Sequence, residues 1–261
     1  VQSYALTGTH LISPKFDLDW NLSYAKASEN RPHERYIEYL QEGLAMTQNL
    51  SDTYKPYITA PGESPESFVF DKLTEQHDYT DEQEYAAKIN ARVPLSVIAG
   101  QKGRLHFGLR ARIKTKERNN NFYEYDPVSG LPNLDQMGTV TYNEPLIQGS
   151  HYVPGTFVSN KWLGNVNLYN TSEFQAEADP SEYLVSNYKA NEQIYAGYLR
   201  WDQNITPKLM YIVGARVEYT HVDYKGAYSL NEEYDNTGAN EMENNYANVL
   251  PSLTVMWNAS D

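Results

Sequence analysis

Hydrophobic and polar residues alternate strictly over long stretches of this chain, most clearly in residues 196–220. The two arms of this segment are joined by a tight turn at Pro207. On the second arm, apolar and tyrosine side chains occupy every other position from Leu209 to Tyr219. Because successive side chains of a strand point to opposite faces, the segment predicts a hairpin with one apolar face. Its arms are much longer than the strands of about 5–6 residues that are usual in soluble domains.

The same alternation recurs along the chain and predicts an all-β, antiparallel, up-and-down meander of about seven long strands. The predicted strands span residues 2–12, 15–27, 79–93, 104–116, 191–205, 208–224 and 246–257. Short turns alternate with long polar connections, which span residues 28–78, 117–190 and 225–245. In the first of these connections, residues 33–43 predict a short helix that Gly43 ends.

The alternation of short and long connections is typical of an outer-membrane β-barrel, which has short turns on the periplasmic side and long loops on the extracellular side. No apolar run approaches the roughly 18–20 residues of a membrane-spanning helix. A membrane protein of this sequence is therefore expected to be a barrel, since only helices and closed barrels satisfy every backbone group in lipid. Strands of this length exceed the roughly 9–11 residues needed to cross lipid, so part of each strand is expected to stand above the membrane.

Charge and composition narrow the classes of function. The net charge is −13, and the three predicted loops account for −6, −6 and −4 of it, which leaves +3 for the rest of the chain. An acidic chain argues against nucleic-acid binding, which needs a basic face. The 23 tyrosines suit a membrane interface, although tyrosine is also a good strand former. The absence of cysteine excludes disulfides and thiolate metal sites. The chain starts at Val1 in mid-pattern, which we interpret as a processed product or an excised piece.

Three segments resemble TonB-dependent outer-membrane receptors. Residues 18–40 resemble a barrel strand with its following loop. Residues 198–218 resemble the family's hairpin of the form Y-x-x-D-x-x-I/L-T-x-K-L-x-x-x-x-G-x-R-x-E. Residues 246–257 resemble a strand that opens with a Leu-Pro-Ser step. The resemblance implies that residues 1–261 form a single partial barrel domain, an internal third of a 22-stranded barrel that surrounds a plug.

The resemblance also implies a location and a set of partners. The parent protein is expected in the bacterial outer membrane, in contact with lipid, its own plug domain, the TonB complex and a scarce nutrient such as an iron–siderophore, haem, cobalamin or a glycan. No cofactor, enzymatic activity or nucleic-acid partner is expected. The open sheet edges of the segment are expected to favour self-association.

Candidate binding residues fall into two groups. On the polar face of the predicted strands lie Arg92, Arg104, His106, Arg110, Arg112 and Arg216. They would contact an anionic ligand or the plug, or they are the polar residues that any barrel lumen carries. In the second long connection, Tyr123, Tyr125, Tyr142, Tyr152 and Trp162 would stack on a sugar or an aromatic ligand, or pack on one another.

Metal and catalytic signals are weak. His106 has no second ligand at a suitable spacing, so no metal site is predicted there. The acidic residues 231–235 and 241–243 would bind Ca²⁺ or form a solvated loop, and they lack the spacing of an EF-hand. No nucleophile elbow, zinc-binding helix or phosphate loop is present. Two alternatives stay open, namely a soluble glycan-binding β module, which would bury both sheet faces, and an outer-membrane barrel enzyme.

Overall fold

The long alternating segments form one antiparallel sheet in the computed structural model, which describes residues 1–145, 147–150, 152–229 and 237–259. Seven strands follow one another in the order β1-β2-β5-β6-β10-β11-β12, and the short strand β9 also pairs with β6. The strands of the meander are β1 (Gln2–Ser13), β2 (Phe16–Leu40), β5 (Val69–Pro94), β6 (Gly103–Pro127), β10 (Tyr188–Thr206), β11 (Leu209–Ser229) and β12 (Thr237–Trp257). The predicted seven-stranded meander is thus confirmed.

The strands are longer, and the connections shorter, than the sequence predicted. The helix expected over residues 33–43 is wrong, because β2 continues as a strand to Leu40. Along this extension Ile37 and Tyr39 are half-buried while Tyr36 and Glu38 are exposed. Such a two-residue period of burial requires a strand, and it overrides the local helix-like composition.

The third predicted connection, 225–245, is also too long. Strand β11 continues to Ser229 and β12 begins at Thr237, so much of the predicted loop is paired strand. Polar cross-strand pairs hold this extension, such as Lys225, whose Nζ lies 3.0 Å from Glu241 Oε1. The acidic residues 231–235 lie outside the described residues.

The chain divides into two compact units. One, which we call the sheet unit, comprises Val1–Asn30, Asp78–Asn120 and Leu184–Asp261. The other, which we call the loop unit, comprises Arg31–His77 and Asn121–Tyr183. Each is described separately below.

Tight connections in the sheet unit are fixed by side chains at the strand ends. At the β10–β11 turn, Thr206 Oγ1 accepts hydrogen bonds from the backbone N–H groups of Lys208 and Leu209, at 3.3 and 3.0 Å. At the β5–β6 turn, the fully buried Gln203 donates from Nε2 to Ser96 Oγ at 3.1 Å. These bonds explain why both turns are short and ordered.

The loop unit has a small hydrophobic core of its own. It contains β3 (Thr47–Asn49), β4 (Tyr57–Thr59), β7 (Thr139–Tyr142), β8 (Gly155–Val158), β9 (Phe174–Ala178), α1 (Asn160–Asn165), α2 (Pro180–Tyr183) and the 3₁₀ turns Pro65–Ser67 and Leu134–Gln136. The core consists of Leu73, Tyr125, Leu168 and Phe174, all at most 5% exposed. Among the described residues, no helix is long and apolar enough to span a membrane.

Candidate functional site

The register of the sheet unit separates an apolar face from a polar face. One row across four strands consists of Leu109, Gly197, Val217 and Val249, which are direct pairing partners. The side chains of Leu109, Val217 and Val249 are 65, 51 and 67% exposed. Exposed apolar surface that continues over several strands marks a membrane or protein contact. The apolar face predicted from the sequence is therefore present, and it is uncovered.

Tyrosines border the apolar face at the end of the sheet from which the long connections leave. Tyr195 lies directly opposite Tyr219, and the ring centroids of Tyr24 and Tyr85 are 4.9 Å apart. From Leu209 to Tyr219 the strand rises by about 33 Å, which at a tilt of about 40° corresponds to a height of about 25 Å. That height and its aromatic border match the apolar band of a membrane barrel.

The polar face carries a dense set of ion pairs. Arg112 Nη2 lies 2.6 Å from Glu192 Oε2, and Arg216 Nη2 lies 2.6 Å from Glu218 Oε2. His106 Nε2 lies 3.2 Å from Asp202 Oδ2. Arg112 thus has a carboxylate of a neighbouring strand beside it, Arg216 has one of its own strand, and the ring of His106 lies beside Asp202.

A hydrogen-bonded network on this face joins residues of three strands, β2, β5 and β10, and passes over a fourth, β6. Tyr198 Oη donates to Asn90 Oδ1 at 3.1 Å, and Asn90 Nδ2 donates to Asp19 Oδ2 at 2.6 Å. Arg92 Nη2 donates to Asp19 Oδ1 at 3.1 Å. The ring of Tyr198 reaches β5 across Gly108 of β6, where an added Cβ would lie 2.7 Å from Tyr198 Cε1 and 2.5 Å from the Ile89 carbonyl oxygen. A glycine is therefore required at position 108 for this network to form.

One cluster of side chains that could bind a metal ion is found among the described residues. It lies where β11 ends and β12 begins, and it consists of three residues. Ligand atoms of His221, Asp223 and Glu243 lie within 4.8 Å of one another. Both nitrogens of His221 face acceptors, Asn245 Oδ1 at 2.5 Å and Asp223 Oδ2 at 2.9 Å. Hydrogen bonds to Asn245 and Asp223 raise the pKa of His221, so the arrangement favours an imidazolium ion pair over a metal ligand.

The loop unit is organised around a buried ion pair. Arg35 Nε donates to Glu75 Oε2 at 2.7 Å, and these side chains are 12 and 8% exposed. Tyr169 Oη donates to Glu75 Oε1 at 2.8 Å. Burial alone would raise the pKa of Glu75, but the hydrogen bonds from Arg35 and Tyr169 outweigh it and lower the pKa below its usual value. Hydrogen bonding to Glu75 in turn raises the pKa of Tyr169 to about 12.

Arg35 also caps the C-terminal end of helix α1. Arg35 Nη1 donates to the carbonyl oxygens of Leu163 and Val166, at 3.0 and 2.9 Å. The last carbonyl groups of a helix lack intrahelical donors, and a cation there also favours the helix dipole. At the other end, Ser159 Oγ accepts from the Trp162 N–H at 3.3 Å. The short helix thus depends on its caps.

A pocket of about 530 Å³ lies within the loop unit. Its lining includes the aromatic or aliphatic residues Ile37, Tyr39, Phe68, Leu134 and Phe157 and the acidic residues Glu38 and Glu63. Backbone bonds hold the walls together, since the Leu134 N–H donates to the Phe68 carbonyl at 3.1 Å. Burial raises the pKa of Tyr39 to about 12, and its hydroxyl donates to the Pro132 carbonyl at 3.1 Å. Volume and composition are those of a small-ligand pocket.

Comparison with known proteins finds a family model that matches part of the chain. Residues 153–261, which include β10, β11 and β12, match the model of the outer membrane protein beta-barrel family. This part of the chain is similar to that family. The outer-membrane barrel that the sequence implied is thereby confirmed, and in such a barrel the apolar face meets lipid and the polar face lines the lumen. No match was found among curated proteins.

Two solved structures of outer-membrane receptors are similar to the chain. The siderophore receptor PiuA from Acinetobacter baumannii is 12% identical, with a TM-score of 0.49. The ferric-catecholate import receptor Fiu from Escherichia coli K12 is 11% identical, with a TM-score of 0.48. Both comparisons cover 99% of this chain and 30% of the receptor, so the chain spans about a third of their length. The barrel assignment rests on the family match and on the sheet.

All six cationic residues predicted from the alternation lie on the lumen face of the barrel wall, but in different surroundings. Arg92, Arg112, Arg216 and His106 have acidic neighbours at 3.2 Å or less. Arg104 is 3.9 Å from Asp17 and more than half exposed. Arg110 is exposed, and the structure gives it no ion pair among the described residues. The side chains most accessible to a partner are therefore Arg104 and Arg110.

The predicted aromatic residues do not form one site. Tyr125 is 3% exposed and packs with Leu73, Leu168 and Phe174 in the core of the loop unit. Tyr152 Oη accepts from the Ile58 N–H at 2.9 Å and joins two loops. Trp162 lines a second cavity, and Tyr123 is 36% exposed beside Tyr125.

Sequence reasoning missed the residues that the fold brings together from distant positions. Arg35 and Glu75 are separated by forty positions, and one pocket is lined by Glu38 of strand β2 and Glu63 of the connection that follows it. No local motif marks these pairs. The one available signal was the alternation across residues 31–40, which places Arg35, Ile37 and Tyr39 on one face.

Proposed function

We propose that the chain forms part of the wall and the extracellular loops of a TonB-dependent outer-membrane receptor, which binds a scarce nutrient and imports it with energy relayed by TonB. The nutrient belongs to the class of iron–siderophores, haem, cobalamin or glycans. The plug and the remaining strands belong to the parent protein, and the loop unit contributes to selection of the nutrient, since loops vary on a fixed scaffold.

One observation carries this proposal. The apolar row at Leu109, Val217 and Val249 is more than half exposed, while the opposite face bears ion pairs and a hydrogen-bonded network. A soluble glycan-binding module would bury both faces of its sheet, so the exposed row favours a barrel wall over that alternative. Six of the seven meander strands (β2, β5, β6, β10, β11 and β12) have 19 to 26 residues, and a folded unit lies in their long connections, which supports a receptor with elaborate loops.

Nutrient uptake in living cells tests the proposal. Deletion of the gene for the parent protein should abolish growth on one limiting nutrient from these four groups, and a complementing copy should restore it. Loss of TonB should have the same effect as the deletion. Import that continues without TonB, or absence of the protein from outer-membrane fractions, would contradict the proposal.

A further inference from the structure

The negative charge of the chain is concentrated in the loop unit. Its two segments contain 5 Lys or Arg against 16 Asp or Glu, a net charge of −11, while the whole chain has −13. The sheet unit, which is larger, therefore has a net charge of only −2. A surface with this excess of one sign attracts cations and repels polyanions over a distance of about 10 Å at ordinary ionic strength.

Most of the few cations in the loop unit are already paired. Arg35 is buried against Glu75, and Arg31 Nη1 lies 3.2 Å from Glu34 Oε2. Lys72 Nζ lies 3.0 Å from Glu124 Oε2. The charge-assisted bonds that a polyanionic ligand would need are thus largely engaged within the unit itself.

The charged residues that line the pocket of the loop unit are also acidic. Glu38 and Glu63 are exposed at its wall, and none of its lining residues that the structure describes is Lys or Arg. The aromatic residues Tyr39, Phe68 and Phe157 line the same pocket. Aromatic faces attract cations through their quadrupole and also bind apolar groups. Since the pKa of Tyr39 is raised to about 12, its ring remains a neutral phenol.

We infer that this pocket binds a cationic small molecule, one with an ammonium or guanidinium group beside an apolar body, of about the size of a dipeptide. The carboxylates of Glu38 and Glu63 neutralise the cation, and the aromatic wall receives the apolar part. The inference rests on the proposed receptor function and narrows its substrate class, because it excludes polyanionic metal chelates from this pocket. A cavity of about 530 Å³ holds a ligand of that size.

Calorimetric titration of the detergent-solubilised parent protein with two dipeptides tests the inference. Phenylalanyl-argininamide is the cationic probe, and phenylalanyl-glutamate matches it in size with the opposite charge. The cationic probe should bind about tenfold more tightly, and the difference should shrink as salt is raised. No binding of the cationic probe at about 1 mM, or equal binding of both dipeptides, would overturn the inference.

Substitutions test whether the cationic dipeptide binds in this pocket. The double substitution Glu38→Gln with Glu63→Gln should weaken binding of the cationic dipeptide about tenfold, because it removes both negative charges of the pocket lining. Glu42→Gln, an exposed carboxylate of the same unit that does not line the pocket, should leave binding unchanged. Equal losses in both variants would mean that only the overall charge acts, and would overturn the assignment to the pocket.

The two proposals fail in different ways. TonB-dependent uptake of a polyanionic chelate that competes with the cationic dipeptide would overturn the inference and leave the receptor function intact. Binding of the cationic dipeptide that depends on Glu38 and Glu63, in cells that show no TonB-dependent uptake, would support the pocket and contradict the receptor function.

Discussion

Single buried contacts determine the stability of the loop unit. Arg35 satisfies Glu75 and also the last carbonyl groups of helix α1. The described residues of this unit form a core cluster of only four buried side chains, so there is little apolar surface to compensate for the loss of such a contact. The ion pair is therefore more important here than it would be on an ordinary protein surface.

Arg35→Ala should destabilise the loop unit by about 3–5 kcal/mol, because it leaves the Glu75 carboxylate buried without its cation. Hydrogen exchange of the amides in residues 160–169 measures this loss. Arg31→Ala removes an exposed ion pair with Glu34 and should cost at most about 1 kcal/mol. Equal exchange rates in both variants would show that burial adds nothing to the Arg35 contact.

Acid should open the loop unit through Glu75. Its pKa is lower in the folded state than the ordinary value of 4.5, since the bonds from Arg35 and Tyr169 outweigh its burial. Stability from this group is thus present above about pH 4.5 and is lost as the pH falls through the folded-state pKa. Fluorescence of Trp162, with the other three tryptophans replaced by Phe, should report this transition. In Glu75→Gln the pH dependence should be reduced, and an unchanged titration would contradict this assignment.

The alternation of apolar and polar residues determines which face each side chain of a strand occupies. On β11 the odd-numbered positions from Leu209 to Tyr219 lie on the apolar face, and on the other face Tyr198 of β10 crosses Gly108 to reach Asn90. The alternation fixes which side chains share a face, because a shift of one residue would exchange the faces. Contacts across three strands, in contrast, require the register of the assembled sheet.

Val213→Arg should destabilise the barrel by about 2–4 kcal/mol, because Val213 lies near the middle of the apolar face between Leu209 and Tyr219. Asn248→Arg is the matched control, since Asn248 pairs with Glu218 on the opposite, polar face and should tolerate the cation. Urea unfolding of the parent protein from lipid vesicles measures both changes. A larger loss for Asn248→Arg would mean that the two faces are assigned the wrong way round.

Over the whole chain, connection length follows the direction of the meander. The short turns at residues 14–15 and 207–208 join consecutive strands at one end, and the long connections leave from the other end, as an antiparallel meander requires. The two compact units reflect this division, since the loop unit is built from two of the long connections and the strand ends beside them.

The placement of short turns at one end and long connections at the other predicts the orientation of the chain in the membrane. The chain contains no cysteine, so single cysteines can be introduced without background. Lys55→Cys, in the β2–β5 connection, should react with a membrane-impermeant maleimide on intact cells. Lys15→Cys, in the β1–β2 turn, should react only after the outer membrane is opened. Reaction of both, or of the second alone, on intact cells would reverse or refute the orientation.

How much the sequence predicted depends on how local each feature is. The strands around Leu209–Ser229, their faces and the meander follow from alternation that extends over neighbouring residues. The helix predicted over residues 33–43 was wrong because Ile37 packs against the core of the loop unit, a contact that no local pattern contains. The burial of Tyr125 likewise depends on distant partners.

By itself, the sequence determined the seven strands, their apolar and polar faces, and the tight turn at Pro207, because backbone geometry alternates side chains at every residue. Tertiary structure decided the rest. Only the folded chain joins Arg35 to Glu75, brings Tyr198 over Gly108, and places Glu38 and Glu63 around one pocket. Each of these contacts unites residues from different strands or loops, and their meeting depends on register and chain closure rather than on any nearby residue.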